Sequence, residues 1–180
     1  MIALTVNEVV ALTGIDEKSV RKDVEQGVVQ AMSPLRFAEG ALVYFRARAL
    51  FAFSLGTADR RSLYARINDA LAMHSAQLEL GRGWLLDIGA IAADTLDRAQ
   101  RFDTWKRKIV VSDDILGGEP VFQGSRLAVR HVGQMIRRGI SQDEIREDYP
   151  TLSDEDVEFS PIFSIAYPPM GRPRASSFAR

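Results

Sequence analysis

Residues 113–126 read Asp-Asp-Ile-Leu-Gly-Gly-Glu-Pro-Val-Phe-Gln-Gly-Ser-Arg, and three glycines and a proline within fourteen positions demand a tight, fixed backbone rather than a flexible linker. Gly117 and Gly118 are free to take positive φ. Pro120 fixes its own φ and pushes Glu119 toward an extended shape, and Gly124 permits a second sharp turn before Ser125 and Arg126. Such a clip joins a strand to a helix, so Gly117, Gly118, Pro120 and Gly124 are read as a structural turn rather than a ligand loop.

On either side of the clip the chain reads mainly as helices. Val6, Val9, Val10 and Leu12 form one apolar stripe, Gly14 breaks it, Val20 and Val24 resume it, and Gly27 ends the second helix. Thr5 or Asn7 is placed to cap the first helix and Asp16 the second. Two short helices at this spacing make a helix-turn-helix, and Ser33-Pro34-Leu35-Arg36-Phe37 follows as a turn or wing. Further helices are expected over 38–53, 58–78 and 94–107, strands over 84–91 and 108–112, and three closing helices near 129–138, 142–148 and 154–166. The expected fold class is mainly α with some β: an N-terminal winged helix-turn-helix, then a C-terminal three-helix, helix-turn-helix-like domain preceded by short strands. The expected division is a winged helix-turn-helix at 1–56, a connecting helix at 57–83, strands, clip and helices at 84–166, and a Pro/Arg-rich tail at 167–180. Leu127, Val129, Val132, Met135, Ile136, Ile140, Ile145, Val157 and Phe159 are expected to form the core of the second helical unit.

Composition excludes several chemistries. With no cysteine there are no disulfides, thiol nucleophiles or thiolate metal sites, which suits the cytoplasm. The two histidines, His74 and His131, are too far apart in sequence to predict a metal cage, and neither a metal nor a cofactor is expected. No apolar run approaches the length of a membrane helix, and the opening residues lack the basic start of a signal peptide. Phosphate-loop, nucleophile-elbow and dinucleotide-binding spacings are all missing, so no catalytic residue is assigned. Rather than joining Glu119 in a small acidic site, Asp113 or Asp114 is read as capping the turn.

The net charge of -1 conceals an asymmetry. Residues 1–66 carry nine Lys or Arg against seven Asp or Glu, whereas residues 141–158 carry eight acids against Arg146 alone. On the second helix Lys18, Arg21, Lys22 and Gln26 point away from the Val20–Val24 stripe, where cations neutralise phosphates and Arg or Gln can hydrogen-bond base edges. The opposing reading is a solvated face balanced by Glu17, Asp23 and Glu25. The acidic carboxyl-proximal helices would repel phosphate, so the second helical unit is expected to pack or dimerise rather than read DNA.

Two stretches also carry family resemblances. Ile115 to Phe122, Gly124-Ser125-Arg126-Leu127, Arg138-Gly139-Ile140-Ser141, Glu144-Ile145, Asp148-Tyr149-Pro150, Leu152 and Asp156-Val157 together resemble a bacterial family of VapB-type antitoxins over residues 109–166. That family has Gly-Thr-Arg-Ile where this chain has Gly-Ser-Arg-Leu. The resemblance implies a small helix-turn-helix-like domain and partnership with a PIN-domain ribonuclease toxin. Thr13-Gly14-Ile15, Ser19-Val20-Arg21, Glu25 to Val29 and Arg36-Phe37 resemble the winged helix-turn-helix of MerR-type regulators and phage excisionases. That similarity implies operator DNA as a partner, contacted by Ser19, Arg21 and Lys22, with Arg36 on the wing touching a phosphate; Lys18, on the same outward face, is added to the expected DNA contacts. MerR proteins carry an aromatic where this chain has Lys22.

The tail, Pro161 to Arg174, places Ile162, Phe163, Ile165, Tyr167 and Met170 ahead of a Pro-rich arm ending in arginines. An extended arm of this kind fits a partner's groove. The toxin implied by the resemblance holds Mg²⁺ with acidic side chains, which arginine can pair bidentately. Phe163 and Tyr167 are therefore read as toxin-binding anchors and Arg172 or Arg174 as the inhibitory group. Equally, the apolar part could cap the chain's own core. The expected function is a dimeric, DNA-binding antitoxin that represses its own operon. The alternative is a free-standing winged-helix regulator with a C-terminal oligomerisation or sensing domain.

Overall fold

Thr5 starts the first helix by closing a capping box, its hydroxyl accepting from the Glu8 N–H at 3.2 Å while the Glu8 carboxylate accepts from the Thr5 N–H at 2.8 Å. That helix, α1 (Val6–Thr13), ends at Gly14 in the left-handed region with φ 77°. Asp16 then caps α2 (Glu17–Glu25) by accepting from the Ser19 N–H at 2.8 Å. The computed structural model of the chain describes residues 3–81 and 83–169. After α2, Met32 and Arg36 exchange two backbone hydrogen bonds at 2.8 and 3.0 Å. Leu4 and Phe37 do the same at 3.0 and 2.8 Å, so the wing is stitched to the segment preceding α1.

The helices that follow are α3 (Glu39–Ala49), α4 (Thr57–Ala72), α5 (Ile88–Lys106), α6 (Val129–Arg137), α7 (Gln142–Asp148) and α8 (Asp154–Ala166). A two-stranded antiparallel hairpin, β1 (Gln77–Gly81) with β2 (Trp84–Asp87), lies between α4 and α5. The protein is thus mainly helical with a small antiparallel sheet. Ser141 and Ser153 close capping boxes with Glu144 and Asp156, which fixes the starts of α7 and α8 where the sequence placed them.

The hairpin departs from the sequence expectation. The helix foreseen over 58–78 stops at Ala72, because residues 77–81 pair across the turn with residues 84–87. The strand foreseen over 84–91 ends at Asp87, whose carboxylate caps α5 through the Ala90 N–H at 2.9 Å. The strand foreseen over 108–112 reduces to one bridge, with Val110 and Val121 exchanging hydrogen bonds at 3.0 and 2.9 Å. Between them the clip turns through Leu116, Gly117 and Gly118, with φ of 49°, 64° and 84°. Phe122 N–H to the Leu127 carbonyl at 3.2 Å and Val129 N–H to the Pro120 carbonyl at 3.0 Å then lead directly into α6.

One buried core runs from Leu4 to Ala166, because α1 packs on α8 and α3 on α5. Its centre is aromatic: Phe102 and Trp105 of α5 meet Phe159 of α8 with ring centroids 5.7 Å away, and Trp105 meets Phe163 at 6.0 Å. The Trp105 Nε1–H donates to Asp156 at 2.7 Å, so this buried ring leaves no polar atom unpaired. Val129, Val132, Ile145, Val157 and Phe159 are buried as expected, while Leu127, Met135, Ile136 and Ile140 pack around them.

Helices α6 and α8 touch at Gly133, where an added Cβ would lie 2.5 Å from the Ser160 carbonyl oxygen and against the Ser164 hydroxyl. Both obstacles sit on a packed helix that cannot yield without separating the pair. Gly133→Ala should therefore destabilise the fold by about 1–3 kcal/mol, as overpacking does. A urea-unfolding midpoint equal to wild type would disprove the close approach.

Candidate nucleic-acid interface

Helix α2 has two faces with different chemistry. Val20 is buried, while Lys18, Arg21 and Lys22 are exposed and Ser19 is half-buried. Arg21 Nε donates to Glu17 at 2.7 Å, but both side chains are about half exposed, so the pair is a weak, solvent-screened one. Among the described residues Lys22 has no ion-pair partner within 4.0 Å.

Asp23 does not belong to the solvated face on which the opposing sequence reading placed it. Its side chain is fully buried and held by the Arg48 and Arg60 guanidiniums and by the Tyr44 hydroxyl, which donates at 2.8 Å. The Asp23 backbone carbonyl accepts from the Val28 N–H at 2.8 Å, closing the turn after α2. Burial, and then the negative charge of Asp23, push the Tyr44 hydroxyl well above the usual phenol range, so it stays a donor. Arg60 Nη2 also donates to the Gln26 side chain at 2.6 Å, and Arg61 to the Gln26 carbonyl at 2.5 Å. These arginines from α3 and α4 fix α2 from behind. With Asp23 withdrawn, the exposed charges of α2 and its cap are Lys18, Arg21 and Lys22 against Asp16, Glu17 and Glu25.

Arg36 sits on the wing, its side chain 41% exposed, with one nitrogen 3.8 Å from Glu8. Glu8 is the second buried carboxylate. It accepts from Lys106 Nζ at 2.6 Å, the Tyr167 hydroxyl at 2.6 Å and the Thr5 hydroxyl at 3.0 Å. Burial opposes its ionisation, but the hydrogen bonds from Lys106, Thr5 and Tyr167 outweigh burial and hold its carboxyl below the usual carboxylate range. Burial and the bond to Glu8 push the Tyr167 phenol up to about 12.

The remaining sequence-assigned residues fall into two groups. Phe163 is buried against Trp105 and Tyr167, and Tyr167 is half-buried on Glu8, so these two proposed anchors are occupied by the chain's own core. Arg172 and Arg174 lie outside the described residues. Gly117, Gly118 and Gly124 take positive φ and Pro120 is buried, all within the turn. Arg130, which with Arg126, Arg137 and Arg138 gives the sequence a basic side open to a secondary DNA contact, instead ties this clip to the end of α8, donating to Glu119 at 2.6 Å and to the Tyr167 carbonyl at 2.8 Å.

The acidic helices are similarly committed. Arg101 pairs with Glu158 at 2.5 Å and lies 3.7 Å from Glu155, Lys108 reaches Glu155 at 3.4 Å, and Arg146 joins Asp143 at 2.9 Å to Asp154 at 3.0 Å. Helix α8 packs against α1, α5 and α6, and its less buried side carries Asp154, Glu155 and Glu158, acids that repel phosphate. Among the described residues no three His, Asp or Glu side chains gather as a metal site, and no helix is long and apolar enough to cross a membrane.

Residues 109–163 match the protein family described as "Protein of unknown function (DUF433)". The chain is also 39% identical over 69 residues to a protein of Sinorhizobium fredii named "Uncharacterized protein y4eO", covering 38% of this chain and 31% of that relative. The chain thus spans about a third of that relative's length. No solved structure matches. The match begins at the bridge before the clip and ends in α8.

Asp23→Ala would leave the Arg48 and Arg60 charges without their shared partner and should cost about 3 kcal/mol or more, read as a lowered urea midpoint. The Glu8 network gives a pH dependence at both ends. Because the folded carboxyl value is lowered, its contribution is full above the usual carboxylate range and is lost as the pH falls through the lowered value. Because the folded Tyr167 value is raised, its contribution is full below pH 10 and is lost as the pH rises toward about 12. Tyr167→Phe should therefore lose less stability between pH 9 and pH 11.5 than the wild type, and an equal loss in urea titrations would refute the assignment.

Proposed function

We propose that the protein is a cytoplasmic, non-catalytic DNA-binding regulator that reads an operator with α2 and touches the backbone with the wing. In this reading Lys18, Ser19, Arg21 and Lys22 face the major groove and Arg36 meets a phosphate. The observation that carries it is the sorting of charge on α2: Asp23 is taken inward by Arg48 and Arg60, while Lys18, Arg21 and Lys22 are left in solvent. A homodimer belongs to the same proposal, since two α2 helices would then address half-sites about one turn of DNA apart.

The resemblance of residues 109–166 extends the proposal to an antitoxin that neutralises a PIN-domain ribonuclease and represses its own operon. With Phe163 and Tyr167 in the core, the inhibitory element would be the arm beyond residue 167, carrying Arg172 and Arg174. The internal use of those two rings equally favours the second reading, a free-standing winged-helix regulator whose C-terminal helices provide stability.

Lys22→Ala and Arg21→Ala should each weaken operator binding about three- to tenfold and reduce the slope against log salt by about one. Unchanged affinity for both in gel-shift titrations would remove the DNA reading. Deleting residues 168–180 should release the ribonuclease activity of a co-expressed PIN-domain partner, and continued inhibition would remove the antitoxin reading while leaving the regulator.

A further inference from the structure

The clamp on Asp23 leaves positive charge over. Two guanidiniums share one buried carboxylate, and the Nε–H of Arg60, a residue only 4% exposed, has no acceptor among the described residues. Both arginines line a groove of about 490 Å³ beside α2, with Ser19 and Lys22 on one wall and Phe51, Phe53, Ser54 and Leu55 on the other. Asp16 is the one acid in its lining, so Lys22, Arg48 and Arg60 outnumber the carboxylates even when the buried Asp23 behind them is counted. A surplus cation in a partly enclosed site holds an anion more strongly than it would in open water.

The opposite wall has a different character. The Phe51 and Phe53 rings stack at 5.4 Å with 19° between their planes, and Phe53 is 56% exposed. An exposed ring resting on a half-buried one is a platform for another planar π-system. Serine hydroxyls stand at Ser19 and Ser54, within the same lining.

We propose that this groove binds a phosphate ester with a planar aromatic body, the nucleoside phosphate class. Lys22 and Arg48 take the phosphate, Arg60 supplies the positive field behind it, and Phe53 receives the base. The site goes beyond the DNA-binding reading but shares Ser19 and Lys22 with it. A bound nucleotide and an operator phosphate would therefore exclude each other, making the ligand a release signal.

Calorimetric titration of the full chain, without DNA, against AMP, ADP, ATP, GTP and inorganic phosphate tests the proposal. At least one nucleotide should bind with a Kd below about 1 mM and more tightly than inorganic phosphate. Lys22→Ala should weaken nucleotide binding about tenfold. Phe53→Ala, at an exposed position, should weaken it by a similar factor while leaving phosphate binding unchanged. No binding of any of the five ligands at millimolar concentration, or wild-type affinity in both variants, overturns the site. Phosphate binding as tightly as the nucleotides overturns the role of the aromatic wall. With DNA absent from the titration, its failure and a failed gel shift are separate results.

Discussion

A buried carboxylate held by two arginines decides how helix α2 sits. Placing Asp23 in the interior carries a desolvation cost that only close cationic and hydrogen-bonding partners can offset. Arg48 and Tyr44 come from α3 and Arg60 from α4, so two helices converge on the one carboxylate of α2. Helix α2 is short and has few buried apolar residues of its own, and packing alone would fix its rotation weakly. The Asp23 cluster fixes it, and by doing so sets which side chains remain in water.

The charge asymmetry of the sequence acquires a structural meaning in the same way. The acidic run near residues 141–158 is opposed by Arg98, Arg101 and Lys108, and by Arg146 within it. Glu155, Asp156 and Glu158 serve as partners for α5, and α8 becomes a central helix. The second helix-turn-helix-like unit is therefore part of the scaffold that carries the first.

Local signals in the sequence were strong wherever a cap or a glycine governed the backbone. Thr5, Asp16, Ser141 and Ser153 start their helices through neighbours three residues away, and the expected starts of α7 and α8 coincide with the structure. The hairpin was hidden because Leu78 continues the apolar period of α4, and only its partner strand reveals that the helix has already ended. Asp23 and Glu8 were hidden for a related reason: their partners lie 21 to 159 positions away. One trace of Asp23 was readable, since it falls three residues after Val20 on the inward side of the helix. Phe163 and Tyr167 looked like an adhesive patch because the sequence does not show that Trp105 and Glu8 already cover them.

The Glu8 anchor has a consequence for synthesis. Its two long-range donors, Lys106 and Tyr167, emerge from the ribosome far later than α1 does. Until then the nascent amino-terminal helices have an acid group destined for the interior but no means of neutralising it there. The amino-terminal half of the molecule thus reaches its final arrangement only when translation has passed the end of α8, and an aborted chain would carry an α2 already oriented by Arg48 and Arg60 beside an α1 whose Glu8 still lacks Lys106 and Tyr167.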